Sequence, residues 1–326
     1  MRMAGMEADQ LNGCKAIILL LAAVVAWTGF YGYAAAETAA PPSRSLSVRR
    51  TTAPVEIDGR LDEADWSACD SFKLAGYKDG AEPQQSTECR LMWDDTYLYI
   101  SWKCVDADIW GTLTGRDDPL YNEEVAEAFF NPDGDTETYL ELEISPRGTL
   151  WDGNIRRSSS GRSVDLAWNS LLLKSAVSVE GTVNQPGDKD SCWTVELAMP
   201  FAELADAPHT PPQEGDSWRL NLYRIDLPER NTKLAEYSAW SPVSGDTFHD
   251  PDRFGEIIFS GSPVRALRGD TNEDGKINIF DLLNLLRALS DPESQPVDSA
   301  NDVDENGKLN IFDLLMLLNI FKDQTF

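Results

Sequence analysis

Between Val48 and Phe259 short runs of alternating apolar and polar residues are broken at close intervals by turn residues. In TYLYISWKC, residues 96–104, Leu98, Ile100, Trp102 and Cys104 share one face, and Tyr97, Tyr99, Ser101 and Lys103 share the other. TYLELEIS, residues 138–145, sets Leu140, Leu142 and Ile144 against Tyr139, Glu141, Glu143 and Ser145. A period of two is that of a strand with one face buried. The same pattern predicts strands at 86–93, 124–130, 171–179, 191–198, 218–226, 235–241 and 254–259. Long helical periodicity is missing here, so two packed sheets are the economical way to bury these faces. The expected fold class is mainly β: an antiparallel β-sandwich, jelly-roll-like, with a small α-helical module after it. One short helix is predicted at DEADWSAC, residues 62–69, with Asp62 capping its first turn.

After Ser260 the pattern changes. Residues 261–267 read as a linker, and beyond them apolar residues recur at helical spacing. Ile279, Leu282, Leu283, Leu286 and Leu289 form one stripe, and Ile311, Leu314, Leu315, Leu318 and Phe321 repeat it. Each helix follows a twelve-residue acidic loop, DTNEDGKINIFD from Asp270 and DVDENGKLNIFD from Asp302. Loop positions 1, 3, 5, 9 and 12 carry side-chain oxygens: Asp270, Asn272, Asp274, Asn278 and Asp281, then Asp302, Asp304, Asn306, Asn310 and Asp313. Gly275 and Gly307 stand at the sharp turn, and Lys276 and Lys308 offer backbone carbonyls. Calcium takes six to eight hard oxygens at about 2.3–2.6 Å, and a loop of this design wraps one ion. The expected cofactor is calcium, two ions in this module. Both loops end in aspartate where a generic EF-hand has glutamate, which draws the exit helix closer to the ion. Ile277 and Leu309 are expected to pin the loops to the core. So small a core needs the metal for much of its folding free energy.

Charge narrows the partners. Acidic residues outnumber basic ones 55 to 28, a net charge of -27, which argues against nucleic acid and anionic lipid and favours hard cations or neutral ligands. Residues 1–36 combine Arg2 and Lys15, an apolar run from Ala16 to Tyr33 and a small-residue site at Ala34–Ala36. They read as a secretory signal peptide, which implies a secreted protein, extracellular or tethered at a cell surface, with no membrane span after cleavage. An uncleaved anchor is the alternative, since a span needs about 20 apolar residues. Cys69, Cys89, Cys104 and Cys192 would remain; in an exported chain at least one bridge is expected, with the pairing open.

The tandem loops, each leading into an amphipathic helix, closely resemble a type I dockerin over residues 268–326. The resemblance implies calcium-dependent docking onto a cohesin domain of a scaffold or cell surface. The family's recognition positions fall on Ile279 with Phe280 and on Ile311 with Phe312. Phe280, Phe312 and Met316 lie off the predicted apolar stripe, and pattern alone leaves them either core or interface.

Residues 37–260 resemble a family 9 carbohydrate-binding module through a series of phrases in order. These are APVEIDGRLDEADW at 53–66, LMWDDTYLYISWKCVD at 91–106, EEVAEAFFNPDGD at 123–135, WTVELAMPF at 193–201 and AWSPVSGDTFHDPDRFGEIIF at 239–259. The resemblance implies a β-sandwich, often with structural calcium, that grips the ends of glucans or xylans between two aromatic rings. Its two clamp tryptophans fall on Tyr121 and Phe248, its strand carboxylate on Glu127, and a family arginine on Glu143. Rings stack on the C–H faces of a sugar while carboxyl and amide groups bond its hydroxyls. Arg219, Asn221 and Tyr223 alternate outward from Trp218, Leu220 and Leu222 and join the candidate set. Trp151 and Trp240 are read as core rather than platform, and NPDGD, residues 131–135, either binds the family's calcium or forms an acidic turn.

The function these features imply is non-catalytic: a carbohydrate binder tethered by a dockerin to a cohesin-bearing partner, aiding polysaccharide degradation by raising local concentration. One rival is an enzyme whose acid pair comes from Glu127, Glu141 and Glu143, associated with glycoside hydrolysis. Another is a haem-binding sandwich, for which His249 and Met92 or Met199 must converge. A third is a purely structural surface protein.

Overall fold

A computed structural model of the protein describes residues 44–159, 161–264, 269–272, 277–290, 300–304 and 306–324. The predicted signal peptide, residues 265–267 of the predicted linker, and Asp274, Gly275 and Lys276 lie outside them. In chain order the elements are β1 (Ser45–Arg50), α1 (Ala64–Ala68), β2 (Ser71–Lys73), β3 (Ala75–Gly76), β4 (Thr87–Trp93), β5 (Tyr97–Val105), β6 (Val125–Asn131) and β7 (Thr138–Ile144). They continue with β8 (Leu150–Ser158), β9 (Gly161–Asp165), β10 (Lys174–Glu180), β11 (Cys192–Pro200), β12 (Ser217–Asp226), β13 (Glu236–Ala239) and β14 (Gly255–Pro263). Two helices follow, α2 (Ile279–Ser290) and α3 (Ile311–Gln324).

One layer of the sandwich runs β10-β11-β5-β4, with β2 beside β4; the other runs β14-β12-β6-β7-β8-β9, with β13 and then β3 beside β12. Strand β1 joins them, pairing in parallel with β14 through Ser45–Val48 and with β4 through Arg49 and Arg50. Every other pairing among the described strands is antiparallel. The predicted alternation holds: Leu98, Ile100, Trp102 and Cys104 meet Leu140, Leu142 and Ile144 in one core, together with Trp218, Leu220 and Leu222. Trp240 belongs to that core as expected.

The opposite face of the second layer is not a solvated one. Phe129, Tyr139, Ile155, Tyr223 and Phe254 form a second apolar cluster there, with Phe248 and Val243 from loops laid over the strands. Strand β6 is consequently buried along its whole length. Beyond the first layer, Trp66 of α1 packs on Met92, Tyr99 and Ala198. Trp66 Nε1 donates to Glu196 Oε1 at 2.7 Å, and the amides of Asp58 and Gly59 donate to Glu196 Oε2. Gly59 has φ +87°, and a Cβ there would stand 2.6 Å from the Val177 carbonyl carbon, so the latch needs glycine.

Several expectations fail locally. Asp62 does not cap α1; Glu63 occupies the N-cap position and makes no capping bond, since its Oε1 accepts from the Glu56 amide. Among the described residues no disulfide forms: Cys69, Cys89, Cys104 and Cys192 are free, and Cys89 and Cys104 serve as small apolar residues of the core. The helical stripe is rotated, too. Leu285 and Leu317 are fully buried with Val303, supported by Leu282, Leu289, Leu314 and Phe321, whereas Ile279, Leu283, Leu286, Ile311, Leu315 and Leu318 are exposed. Two short helices bury only the line where they touch, and that line runs through Leu285 and Leu317. Ile277 and Leu309 pack against it as predicted. Among the described residues no helix is long and apolar enough to cross a membrane.

Candidate functional site

A cavity of about 600 Å³ opens on the outer face of the second layer. Its floor is the polar face of β6 and β7. Glu127 on β6 pairs directly with Glu143 on β7, and the row continues to Tyr223 on β12 and to Trp151 on β8. Glu141 stands two residues along β7 on the same face. All three glutamates line the cavity and are buried. Among the described residues, Glu127 Oε1 and both carboxyl oxygens of Glu143 have no hydrogen-bond partner of good geometry.

Burial governs how these groups ionise. Desolvation, aided by the charge of Glu141, holds Glu127 well above the usual carboxylate range; desolvation with Glu127 and Glu141 does the same to Glu143. Burial lifts Glu141 to about 8, against the opposing pull of Arg162. His249 is pushed down to about 3 by burial and by Arg162. His249 Nδ1 lies 3.8 Å from Glu141 Oε2 and 2.8 Å from the Tyr139 hydroxyl. At neutral pH the first is a contact between uncharged groups and not an ion pair.

The walls are aromatic. Phe248 lies flat on Tyr223, with ring centroids 4.2 Å apart and planes 12° from parallel, while Tyr77 and Tyr237 meet it edge-on. Tyr223 also donates its hydroxyl to the Phe248 carbonyl at 2.8 Å, so the loop that carries the ring is tied to the sheet. Trp151 lies over Gly153, where a Cβ would stand 2.9 Å from Cη2. Tyr121 is carried by a short 3-10 turn and is 53% exposed at the cavity wall.

Of the predicted sugar-site residues, Tyr121, Glu127, Glu143 and Phe248 meet around this cavity. Arg219, Asn221 and Tyr223 do not line it. Asn221 is fully buried, donating to Ser241 O and the Tyr223 hydroxyl, and Arg219 reaches instead to the Asp252 carbonyl at 3.3 Å. Tyr223 and Asn221 are a supporting layer beneath Phe248. Trp151 is buried in the second apolar cluster, as expected of a core residue, and one edge of it also lines the cavity. Tyr77, Tyr237 and Arg162 reach the site from distant loops and strands that no local signal unites, and His249, weighed in the sequence only as a haem ligand, lines it too.

In the second acidic loop, oxygens of Asp302, Asp304 and Asp313 lie within 4.8 Å of one another. Asp313 accepts from the amides of Asp304 and Asn310, and Asp302 from those of Asn306 and Gly307. In the first loop Asp281 accepts from the amides of Asn272 and Asn278. Asn278 and Asn310 cap the helices, their Oδ1 atoms accepting from the Phe280 and Phe312 amides. The Lys308 carbonyl accepts from Asn310 Nδ2. Asp270 and Asp281 are buried at the first loop.

A family model described as Carbohydrate family 9 binding domain-like matches residues 57–262, more than half of the chain. The chain belongs to that family. A second model, Dockerin type I domain, matches residues 268–322, so a type I dockerin follows the family 9 module. The chain is 24% identical over 248 residues to Endo-1,4-beta-xylanase A of Thermoanaerobacterium saccharolyticum, covering 74% of this chain and 19% of that protein. It is 23% identical over 248 residues to Exoglucanase XynX of Acetivibrio thermocellus, covering 74% and 20%. This chain thus spans about a fifth of the length of these relatives. A Bacteroides uniformis protein provisionally described as carbohydrate-binding superposes with a TM-score of 0.53 at 17% identity, over 67% of this chain and 99% of that one. That likeness shows the fold.

Type I dockerins are calcium-binding domains, and the hard-oxygen set of the second loop fits such an ion. In the family 9 module, NPDGD is an acidic turn: Asn131 Oδ1 accepts from the Gly134 amide, and Asp135 from the amides of Glu137 and Thr138. Carboxylates close enough to share an ion converge instead at Asp106, Glu124 and Asp226, all buried. Arg224 fills part of this cluster, donating to Asp106 at 2.9 Å and to Asp226 at 2.7 Å. The haem arrangement is ruled out by topology. His249 lines the cavity of the second layer, Met199 lies between the layers and Met92 lies beyond the first.

Proposed function

We propose that this chain is an exported, non-catalytic adaptor. The family 9 module holds a saccharide of the glucan or xylan class in the cavity, and the dockerin tethers it to a cohesin domain of a scaffold or cell surface. Residues 1–36 act as the signal peptide, residues 37–260 as the binding module, 261–267 as a linker and 268–326 as the dockerin. The observation that carries this reading is the cavity itself, where aromatic walls surround carboxyl groups that lack partners. Stacking on Phe248, Tyr121 and Trp151 supplies area, and Glu127, Glu141 and Glu143 supply hydrogen bonds. A glycan array with glucan and xylan oligosaccharides tests it: saturable binding is expected, and a blank array overturns it.

Non-catalysis is supported by the state of the carboxyls. Retaining and inverting glycosidases both need one ionised carboxylate beside a protonated one. Burial raises all three cavity glutamates above the usual carboxylate range, Glu141 to about 8, which disfavours the ionised member of such a pair. Incubation with xylan or cellulose is expected to release no reducing sugar.

For the dockerin, calcium at both loops is held by Asp270, Asn272, Asp274, Asn278 and Asp281 with the Lys276 carbonyl, and by Asp302, Asp304, Asn306, Asn310 and Asp313 with the Lys308 carbonyl. Phe280 and Phe312 are 64% and 62% exposed. With Ile279 and Ile311 they give the two halves matching apolar pairs, which suits a cohesin face approached in either of two orientations. Capture of a cohesin by the full chain is expected with calcium and lost with chelator.

A further inference from the structure

The chemistry of the cavity floor is unbalanced. Among the described lining residues, Arg162 is the sole lysine or arginine, set against Glu127, Glu141 and Glu143 together with Asp117 and Asp246. Asp246 is already satisfied by Lys78, and Asp117 accepts from the Asp152 amide and lies 4.0 Å from Arg116. The three glutamates at the centre have no such neutralising partner in contact. His249, the other basic group, is neutral.

The unpaired atoms lie in the same place. Glu127 and Glu143 face each other across paired strands, a separation of about 5 Å between their Cβ atoms. Three of their four carboxyl oxygens are buried and without partners. Burial favours the protonated acid here, and a cationic donor seated beside it releases that proton to solvent and leaves a carboxylate that accepts, so the pair calls for a positively charged, donor-rich ligand group. Among the described residues, the carboxylate sets close enough to share a metal ion are Asp106–Glu124–Asp226 and Asp302–Asp304–Asp313, and the cavity glutamates are in neither. A sugar hydroxyl offers one donor and no charge, whereas an ammonium offers three donors and a full positive charge. The indole of Trp151, which lines the cavity next to Glu143, also attracts a cation.

We propose that the cavity selects a sugar carrying a protonated amine, a hexosamine unit, over a neutral hexose, with the ammonium seated between Glu127 and Glu143. This rests on the carbohydrate-binding reading and sharpens it: the ring stacks on the aromatic wall as a neutral sugar does, and the amine decides between ligands.

Calorimetry on the full chain at pH 6.5, where such an amine is protonated, decides the matter with three probes: D-glucosamine, D-glucose and N-acetyl-D-glucosamine. Glucosamine is expected to bind about tenfold more tightly than glucose, the size of one charge-assisted pairing, and N-acetylglucosamine to show no such gain. The glucosamine-to-glucose ratio is expected to fall towards one in Glu143→Gln. Glu127→Gln, read the same way, serves if the first variant does not fold by thermal melting. A ratio of one or less in the unmodified chain, or a ratio that survives both substitutions, overturns the preference while leaving carbohydrate binding intact. Heat from none of the three sugars overturns the preference and counts against the binding reading as well.

Discussion

Glu127 on β6 and Glu143 on β7 stand opposite each other on the floor of a cavity, both buried, with three of their four oxygens unpaired. Like charges so placed cannot both ionise without a partner. Burial therefore favours the neutral acid at both positions in the free protein, and a cation entering between them favours ionisation.

A pH dependence follows. Glu141 ionises near 8 in the folded chain, against 4.5 for an unperturbed glutamate, and Glu127 and Glu143 are raised in the same direction by burial. Above 4.5 the unfolded chain has lost protons that the folded chain keeps, so stability falls as pH rises towards 8. For Glu141 the loss is about 1.4 kcal/mol per pH unit across that window. Denaturant unfolding between pH 5 and 8 is expected to show this decline, and Glu143→Gln to make it shallower.

Arg224 is buried between Asp106 and Asp226 and also donates to the Val105 carbonyl. Removing it strands two buried carboxylates. Arg224→Ala is expected to cost about 3–5 kcal/mol in urea unfolding.

Tyr223→Phe deletes the hydroxyl that holds the Phe248 carbonyl but keeps the stacked ring. A stability loss of about 1 kcal/mol is expected. Saccharide affinity, measured by titration, should weaken too, because the Phe248 loop is less firmly placed.

In the dockerin, the aspartates that gather in the second loop repel one another until a cation joins them. Calcium at about a thousand times its Kd stabilises a folded module by about 4 kcal/mol. Circular dichroism of the full chain is expected to lose helical signal with chelator and regain it with calcium; Asp302→Ala combined with Asp313→Ala should blunt the recovery.

Phe280→Ala alone is expected to weaken cohesin capture only slightly, since the Phe312 half offers the same surface. The double substitution should reduce it by tenfold or more in surface-binding measurements. Both residues are exposed, so helical content should not change.

Much of the architecture lies in local pattern. Alternation along β5 and β7 chose which face enters the core, because a strand points successive side chains to opposite sides whatever its neighbours are. The twelve-residue loops declared themselves by oxygen spacing, a property of contiguous chain. The edge strand β9 pairs with β8 alone and is exposed throughout, so it has no apolar rhythm to read. Asn221 and Tyr223 had the right alternation for the outer face of β12, yet alternation could not show that Phe248 would lie on top of them.

The sequence by itself determined the strands, the inward residues and the ion loops, for each depends on spacing within a single segment. Only the tertiary structure decided that Glu127, Glu143, Trp151 and Phe248 would share one cavity, since strand register and loop closure join residues far apart in the chain. It also decided that the helix core would run through Leu285 and Leu317 and leave Phe280 and Phe312 facing outward, because two short helices bury only the faces they turn to each other.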